Sequence, residues 1–352
     1  MALFKKKDPK ESFWYTAVHR KTVSPEDYKK SVDKVITIVL LVFAVSAAVF
    51  LAIAVLGGIT NVISIMEHSN LELYGLAFLF VFFGYIVSFG KWTFFMKKLN
   101  IKVPLLKNFA VYMSMYSMEL TPGRIGRVIC AYTLHRITKI PIMRVAPIVT
   151  MDLVTDFFGT AVVAVMGAVY FNKFVIIVLI GATISVLPTL FVLNDWFFKL
   201  LKKLLKRTKY IPAMNLFGNQ YFRAQRKLHR PSVYLTAMAF TIPSAILYAM
   251  ALYFTLLAVG AGASASGSVL IYYSSNIIGT MTGLPGNVGV TDGAMVAMLQ
   301  GILHLSSPAS SAVTIMTRIA TLWFGLVLGG VFLLYTLRFW KLRVGERWIS
   351  VT

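Results

Sequence analysis

The sequence predicts an all-α polytopic membrane protein with about six full transmembrane helices and two re-entrant helix pairs arranged as an inverted repeat. Three observations carry this expectation. Long windows such as 35–60 and 145–171 are almost free of charge, well beyond the roughly 18 residues that mark a candidate span. Basic residues gather in short stretches between such windows. A Pro-Gly-x-x-Gly pattern occurs twice, each time inside an apolar region whose pieces are too short to cross. The composition agrees: 58% of the 352 residues are hydrophobic and 14% are charged, where soluble domains carry about 25% charged residues.

The chain divides into a basic cytoplasmic arm (1–33), one membrane domain (34–338) and a cytoplasmic tail (339–352). Within the domain a first half at about 72–195 and a second at about 232–338 flank a basic linker at about 196–231. The first 33 residues are polar and too long for the basic tip of a signal peptide, so no cleaved leader is expected. Spans are expected at 34–58, 72–96, 144–171, 174–195, 232–260 and 309–338. Pro188 and Pro243 fall inside two of them, where neighbouring helices can satisfy the freed carbonyls. Regions 105–138 and 268–304 are apolar but broken in the middle. Their pieces of about 11–15 residues reach roughly 16–22 Å, against about 30 Å of hydrocarbon.

Orientation follows from lysine and arginine. Lys5 to Lys7, Lys97, Lys98, Lys102, Arg136, Lys139, the run 199–209 and Arg338, Lys341 and Arg343 fall on one side; the other side holds Glu67, Glu72 and Lys173. The asymmetry sets both termini in the cytoplasm of a cell-membrane protein. The net charge of +22 therefore suits anionic lipid headgroups, and no nucleic acid is expected as partner. The run WFFKLLKKLLKRTKY, starting at Trp196, reads as an interfacial amphipathic helix or as a plain cationic linker. The single cysteine, Cys130, excludes an intramolecular disulfide or a cysteine-based metal cluster.

The two interruptions resemble each other. Pro122, Gly123 and Gly126 of TPGRIGRV recur as Pro285, Gly286 and Gly289 of LPGNVGVT. Each is followed by an apolar half-helix, a proline (Pro141, Pro308) and a long span with ionisable residues: Asp152 and Asp156 in one copy, Arg318 in the other. By the assigned topology the pairs enter from opposite faces. Broken helices of that kind present glycine tips, freed amides and helix N-termini to a central site that suits anions.

Acidic residues number only 13, and Glu119, Asp152, Asp156 and Asp292 fall in or beside apolar spans. A charge at the bilayer centre costs about 2.5–3.5 kcal/mol, which argues against lipid-facing placement. The alternatives are a role in a cavity, structural ion pairing, or an interfacial position; Asp292 also suits a helix cap. Tyr272, Tyr273 and Asn276 either line a path or pack. The five histidines show no metal-ligand spacing, and no P-loop, Rossmann fingerprint or nucleophile elbow appears. Neither catalytic residues nor a metal or cofactor is expected.

In TPGRIGRV, MDLVTD, LPGNVGVTDG and TRIATLW, over roughly 35–340, the chain resembles the flippase-like membrane family that includes the transmembrane region of lysylphosphatidylglycerol synthases. Asp156 and Arg318 match that family's positions, and Asp152 and Asp292 stand where glutamates are usual. Arg127 replaces a usual glutamate and Leu153 a usual arginine. The resemblance implies movement of an amphipathic, phosphate-bearing lipid or lipid-linked headgroup between leaflets, without the synthase activity. Arg124, Arg127 and Arg318 would meet the headgroup, while Glu119, Asp152, Asp156 and Asp292 balance their charge. The partner is then an anionic phospholipid or a polyprenyl-phosphate-type lipid, with a homo-oligomer or a glycosyltransferase as protein partner. A lipid-presenting subunit and an ion or small-solute carrier are the alternatives.

Overall fold

The computed structural model describes residues 44–121, Arg127, 129–171, 175–176, 178–183 and 221–339. Among these the chain is helical, with no strand. We label the helices α1 (Ala44–Leu56), α2 (Ile59–Glu67), α3 (Leu71–Lys98), α4 (Leu105–Ser114), α5 (Ile129–Thr138), α6 (Ile142–Phe171), α7 (Pro231–Ala258), α8 (Ala265–Thr280), α9 (Val290–Leu303), α10 (Ser307–Arg318) and α11 (Phe324–Phe339). Short 3-10 turns cover Met115–Met118 and Pro285–Asn287, and a π-turn, Ile319–Trp323, joins α10 to α11.

Among the described residues, four helices are long and apolar enough to cross a membrane: α3, α6, α7 and the run from α10 through α11. The helices α1 and α2 make a fifth candidate, bent by 100° between them. The protein is thus a multi-pass membrane protein. Two expected spans lie partly outside the described residues. That at 34–58 starts outside the described residues and turns sharply at Gly57 and Gly58, where Gly58 takes φ +81°. A left-handed backbone at glycine lets the chain change direction there, which hydropathy alone does not register. That at 174–195 lies mostly outside the described residues; 178–183 are helical. Of the linker, residues 221–228 are helical and the stretch from Trp196 to Gln220 lies outside the description.

Helix α3 shows how local sequence sets an element. Asn70 caps it, its Oδ1 accepting from the Glu72 and Leu73 amides at 2.9 and 3.0 Å. Glu72 in the first turn and Lys97 and Lys98 in the last complement the helix dipole. The helix then crosses α7 along its length, and small residues permit the approach. Gly84 faces the Tyr248 ring, and a Cβ at Gly90 would lie 2.8 Å from the Phe240 ring.

The two broken regions fold as pairs of short helices, α4–α5 and α8–α9, of 10, 10, 16 and 14 residues. At about 1.5 Å per residue none of the four spans the hydrocarbon alone. Helix α4 packs on α11 and α5 on α6; helix α8 packs on α6 and α9 on α10. In the second break Gly286 and Gly289 take φ +62° and +87°, so the turn needs glycine at both. The first tip, Pro122 to Gly126, lies outside the described residues.

The closest backbone approach is at Gly329 of α11, where a Cβ would lie 2.2 Å from the Ser117 amide nitrogen. Its neighbour Gly330 has nothing within 4 Å. Gly329→Ala is expected to lower stability by about 1–3 kcal/mol, since backbone cannot retreat as a side chain can. Gly330→Ala should leave it unchanged; thermal unfolding in detergent distinguishes the two, and equal effects would contradict the packing.

Candidate functional site

Two ionic clusters lie inside the helix bundle. In the first, Asp152 and Asp156 stand four residues apart on one face of α6, as a helical repeat requires. Lys91 of α3 reaches both, with Nζ 3.1 Å from Asp152 Oδ1 and 2.5 Å from Asp156 Oδ1. Arg127, just past the first tip, takes the other oxygens: Nη1 lies 3.2 Å from Asp156 Oδ2 and 3.4 Å from Asp152 Oδ2. Its Nε and Nη2 donate to Glu119 Oε2 at 3.0 and 2.9 Å. Lys91 has no exposed surface and Asp152 only 2%, so these charges are stabilised by one another rather than by water.

Tyrosines extend this cluster. The Arg127 guanidinium sits 5.3 Å from the centre of the Tyr116 ring. The Tyr116 hydroxyl is 2.8 Å from that of Tyr112 and 3.3 Å from that of Tyr248.

The second cluster is built on the glycine turn. Asp292 stands in the first turn of α9, and its Oδ2 accepts from the Gly289 amide at 2.7 Å. Its Oδ1 lies 2.7 Å from Nε of Arg318, the last residue of α10. Arg318 Nη2 donates to the Gly286 carbonyl at 2.9 Å. Asp292 therefore both caps its helix and pairs with the arginine. The π-turn starts right after Arg318, and such turns widen the helix locally at functional sites.

Both clusters border one cavity of about 170 Å³. Glu119, Arg127 and Asp156 reach it from the first half, Gly286 and Arg318 from the second. The two broken regions touch beside it, since a Cβ at Gly286 would lie 2.7 Å from Leu120 Cδ2. Tyr272, Tyr273 and Asn276 also line it, and the Tyr273 hydroxyl donates to the Ala245 carbonyl at 2.8 Å. Those residues thus pack and face the cavity at once.

Of the residues singled out from sequence, the structure brings together Glu119, Arg127, Asp152 and Asp156, and separately Asp292 and Arg318 with the turn at Pro285, Gly286 and Gly289. Arg124, Pro122, Gly123 and Gly126 lie outside the described residues. Lys91 was not anticipated. Its signal was a lysine after a glycine, nearly two turns inside the Lys97 and Lys98 pair that marks the interface. Tyr116 and Tyr248 carry no sequence signal among many apolar-span tyrosines. No three metal-ligating side chains converge among the described residues.

Broken helices, several spans and a charged interior cavity define a membrane protein with a polar central site. The family model of the lysylphosphatidylglycerol synthase TM region matches residues 36–329, and the chain belongs to that family. Comparison with curated proteins gives no match.

The ionic cluster predicts strong coupling between Lys91 and Asp152. Lys91→Met is expected to cost about 3–5 kcal/mol, because it leaves a buried carboxylate short of a partner. Adding Asp152→Asn should recover the larger part. A double-mutant cycle on unfolding in detergent measures the coupling, and additive losses would contradict it.

Proposed function

We propose that the chain moves an amphipathic, phosphate-bearing lipid or lipid-linked headgroup between membrane leaflets. The observation that carries this reading is the placement of Arg127 and Arg318, from opposite halves, on one interior cavity where the two broken regions meet. An anionic headgroup entering there can exchange with the carboxylates already on these arginines. Charge is then exchanged between partners rather than left bare in a low-dielectric medium. Membership in a family described as the membrane region of lipid-modifying synthases supports a lipid substrate.

The reading includes an inverted repeat, with the α4–α5 pair equivalent to α8–α9. The packing partners support it: α4 on α11 and α5 on α6 in one half, α8 on α6 and α9 on α10 in the other. Each pair thus touches its own following span and that of the other half, as a two-fold relation in the membrane plane requires. The excess of lysine and arginine on one set of loops supports cytoplasmic termini in a cell membrane. No chemical step is assigned to the chain; its work is binding and passage.

The test uses purified protein in liposomes carrying a fluorescent phospholipid on one leaflet. Wild-type protein should redistribute the label faster than protein-free vesicles. The Arg318→Gln/Asp292→Asn protein should fold better than Arg318→Gln alone, because no bare carboxylate remains. It should nevertheless move lipid about tenfold or more slower, for loss of a charged hydrogen bond to the headgroup. Wild-type redistribution no faster than in empty vesicles would overturn the reading in favour of a subunit that holds lipid without moving it.

A further inference from the structure

Helix α10 combines two properties that conflict. Every residue from Ser310 to Arg318 is buried, yet one face of the helix is polar. At about 100° per residue, Ser307, Ser310, Ser311, Thr314, Thr317 and Arg318 fall within an arc of about 120°. Outside that arc, Ala312 and Ile315 pack with Val62 of α2 and Ile53 of α1. A buried polar face has to find its hydrogen-bond partners inside the protein. Buried hydroxyls elsewhere in the bundle find them in their own helix. Thr155, Thr241, Thr255 and Ser275 each donate to the carbonyl four residues back, at 2.7 to 2.9 Å. On the α10 face Ser310 does the same, to Ser306 at 3.0 Å. Thr314 and Thr317 do not. Neither has exposed surface, and neither Oγ1 has a hydrogen-bond partner among the described residues.

Five serine or threonine hydroxyls share that condition among the described residues, and three of them adjoin one ion pair. Thr291 precedes Asp292, Thr317 precedes Arg318, and Thr314 lies one turn before Arg318 on the same face. Asp292 Oδ1 and Arg318 Nε meet at 2.7 Å, which draws together the ends of α9 and α10 that carry these hydroxyls. Unpartnered hydroxyls grouped in this way point to a bound species. Its chemistry follows from the charges. A cation would face the Arg318 guanidinium, and the carboxylate there, Asp292, already holds that arginine. An anion would meet a guanidinium whose charge is already balanced. Water is neutral and both donates and accepts. Groups one helical turn apart, about 5.4 Å, are at the separation that a single water bridges. The polar face is also continuous. Its loop end, Ser306 and Ser307, is exposed, and its other end, Arg318, lines the cavity together with Thr321. The helix covers about 16 Å between Ser307 and Arg318.

We infer that the polar face of α10 holds a file of water reaching from the α9–α10 loop to the Asp292–Arg318 pair. The file keeps that pair hydrated from one side of the membrane, so the two charges can separate without either being left bare. The inference concerns α10 alone and stands whether or not lipid moves through the cavity.

The test places single cysteines on α10 in the full chain, with Cys130→Ala removing the native thiol. Silver ion, a thiol reagent small enough to follow water, is applied to the protein in nanodiscs. Unreacted thiols are then counted in denaturant. Thr314→Cys and Thr317→Cys are expected to react at least about tenfold faster than Val313→Cys and Met316→Cys, because apolar surroundings suppress the reactive thiolate. All four positions are buried in the same stretch, so equal rates would overturn the file. A second measurement does not depend on cysteine. Thr314→Val and Thr317→Val keep the shape of the side chain and remove its hydroxyl. Where water is bound, each should lower the thermal midpoint in detergent, because the water loses a partner. Where the hydroxyl has no partner at all, its removal ends a desolvation cost and the midpoint rises. A lower midpoint for both variants upholds the file; an unchanged or raised midpoint for either overturns it.

Discussion

A buried charge in a bilayer must find an opposite charge within the protein, and in this chain that requirement converges on Arg127. Its guanidinium meets Glu119, Asp152 and Asp156, and Lys91 meets the two aspartates from the other side. The contacts tie α3, the first broken pair and α6 together at one depth. Taking two ions out of water costs several kcal/mol each, so the arrangement persists only if every partner stays in place. The small residues along α3 permit its close approach to α7, which also packs on α6, the helix that carries Asp152. Removal of one partner is thus a change to the whole first half.

The second half meets the same constraint with fewer charges. Among the described residues Arg318 meets one carboxylate, Asp292, and donates to the Gly286 carbonyl in a left-handed turn. Asp292 in turn divides itself between that arginine and the Gly289 amide. Backbone groups freed by a broken helix thereby do what Glu119 and Lys91 do in the first half. This explains why the turn needs glycines: a side chain at Gly286 would strike Leu120 as well as strain the backbone. A simple ion pair is also easier to exchange for a ligand than the shared network around Arg127. In the transport reading, the arginine of the second half is then the one that yields first to an incoming headgroup.

Much of this was legible in the sequence, for identifiable reasons. Asp292 and Arg318 stood out because no other aspartate, glutamate, lysine or arginine occurs between 231 and 337. Asp152 and Asp156 share a face by helical spacing, and that spacing survives folding. The paired Pro-Gly-x-x-Gly turns marked where apolar helices are interrupted. Lys91 stayed hidden because lysines near the end of a span ordinarily reach the interface, and only tertiary packing shows that this one points inward. The expected span 34–58 ended at the glycines where the chain bends, but hydropathy did not show that the next helix, α2, leaves at 100°.

The central claim is that the space between Arg127 and Arg318 receives a lipid headgroup. The most direct measurement is an electron cryomicroscopy structure of the protein in nanodiscs of an anionic phospholipid. A phosphate resolved in that cavity, with at least one of the two arginines turned from its carboxylate toward it, is the expected result. Headgroups confined to the outer surfaces of the bundle, with both arginines still on Glu119 and Asp292, would contradict it.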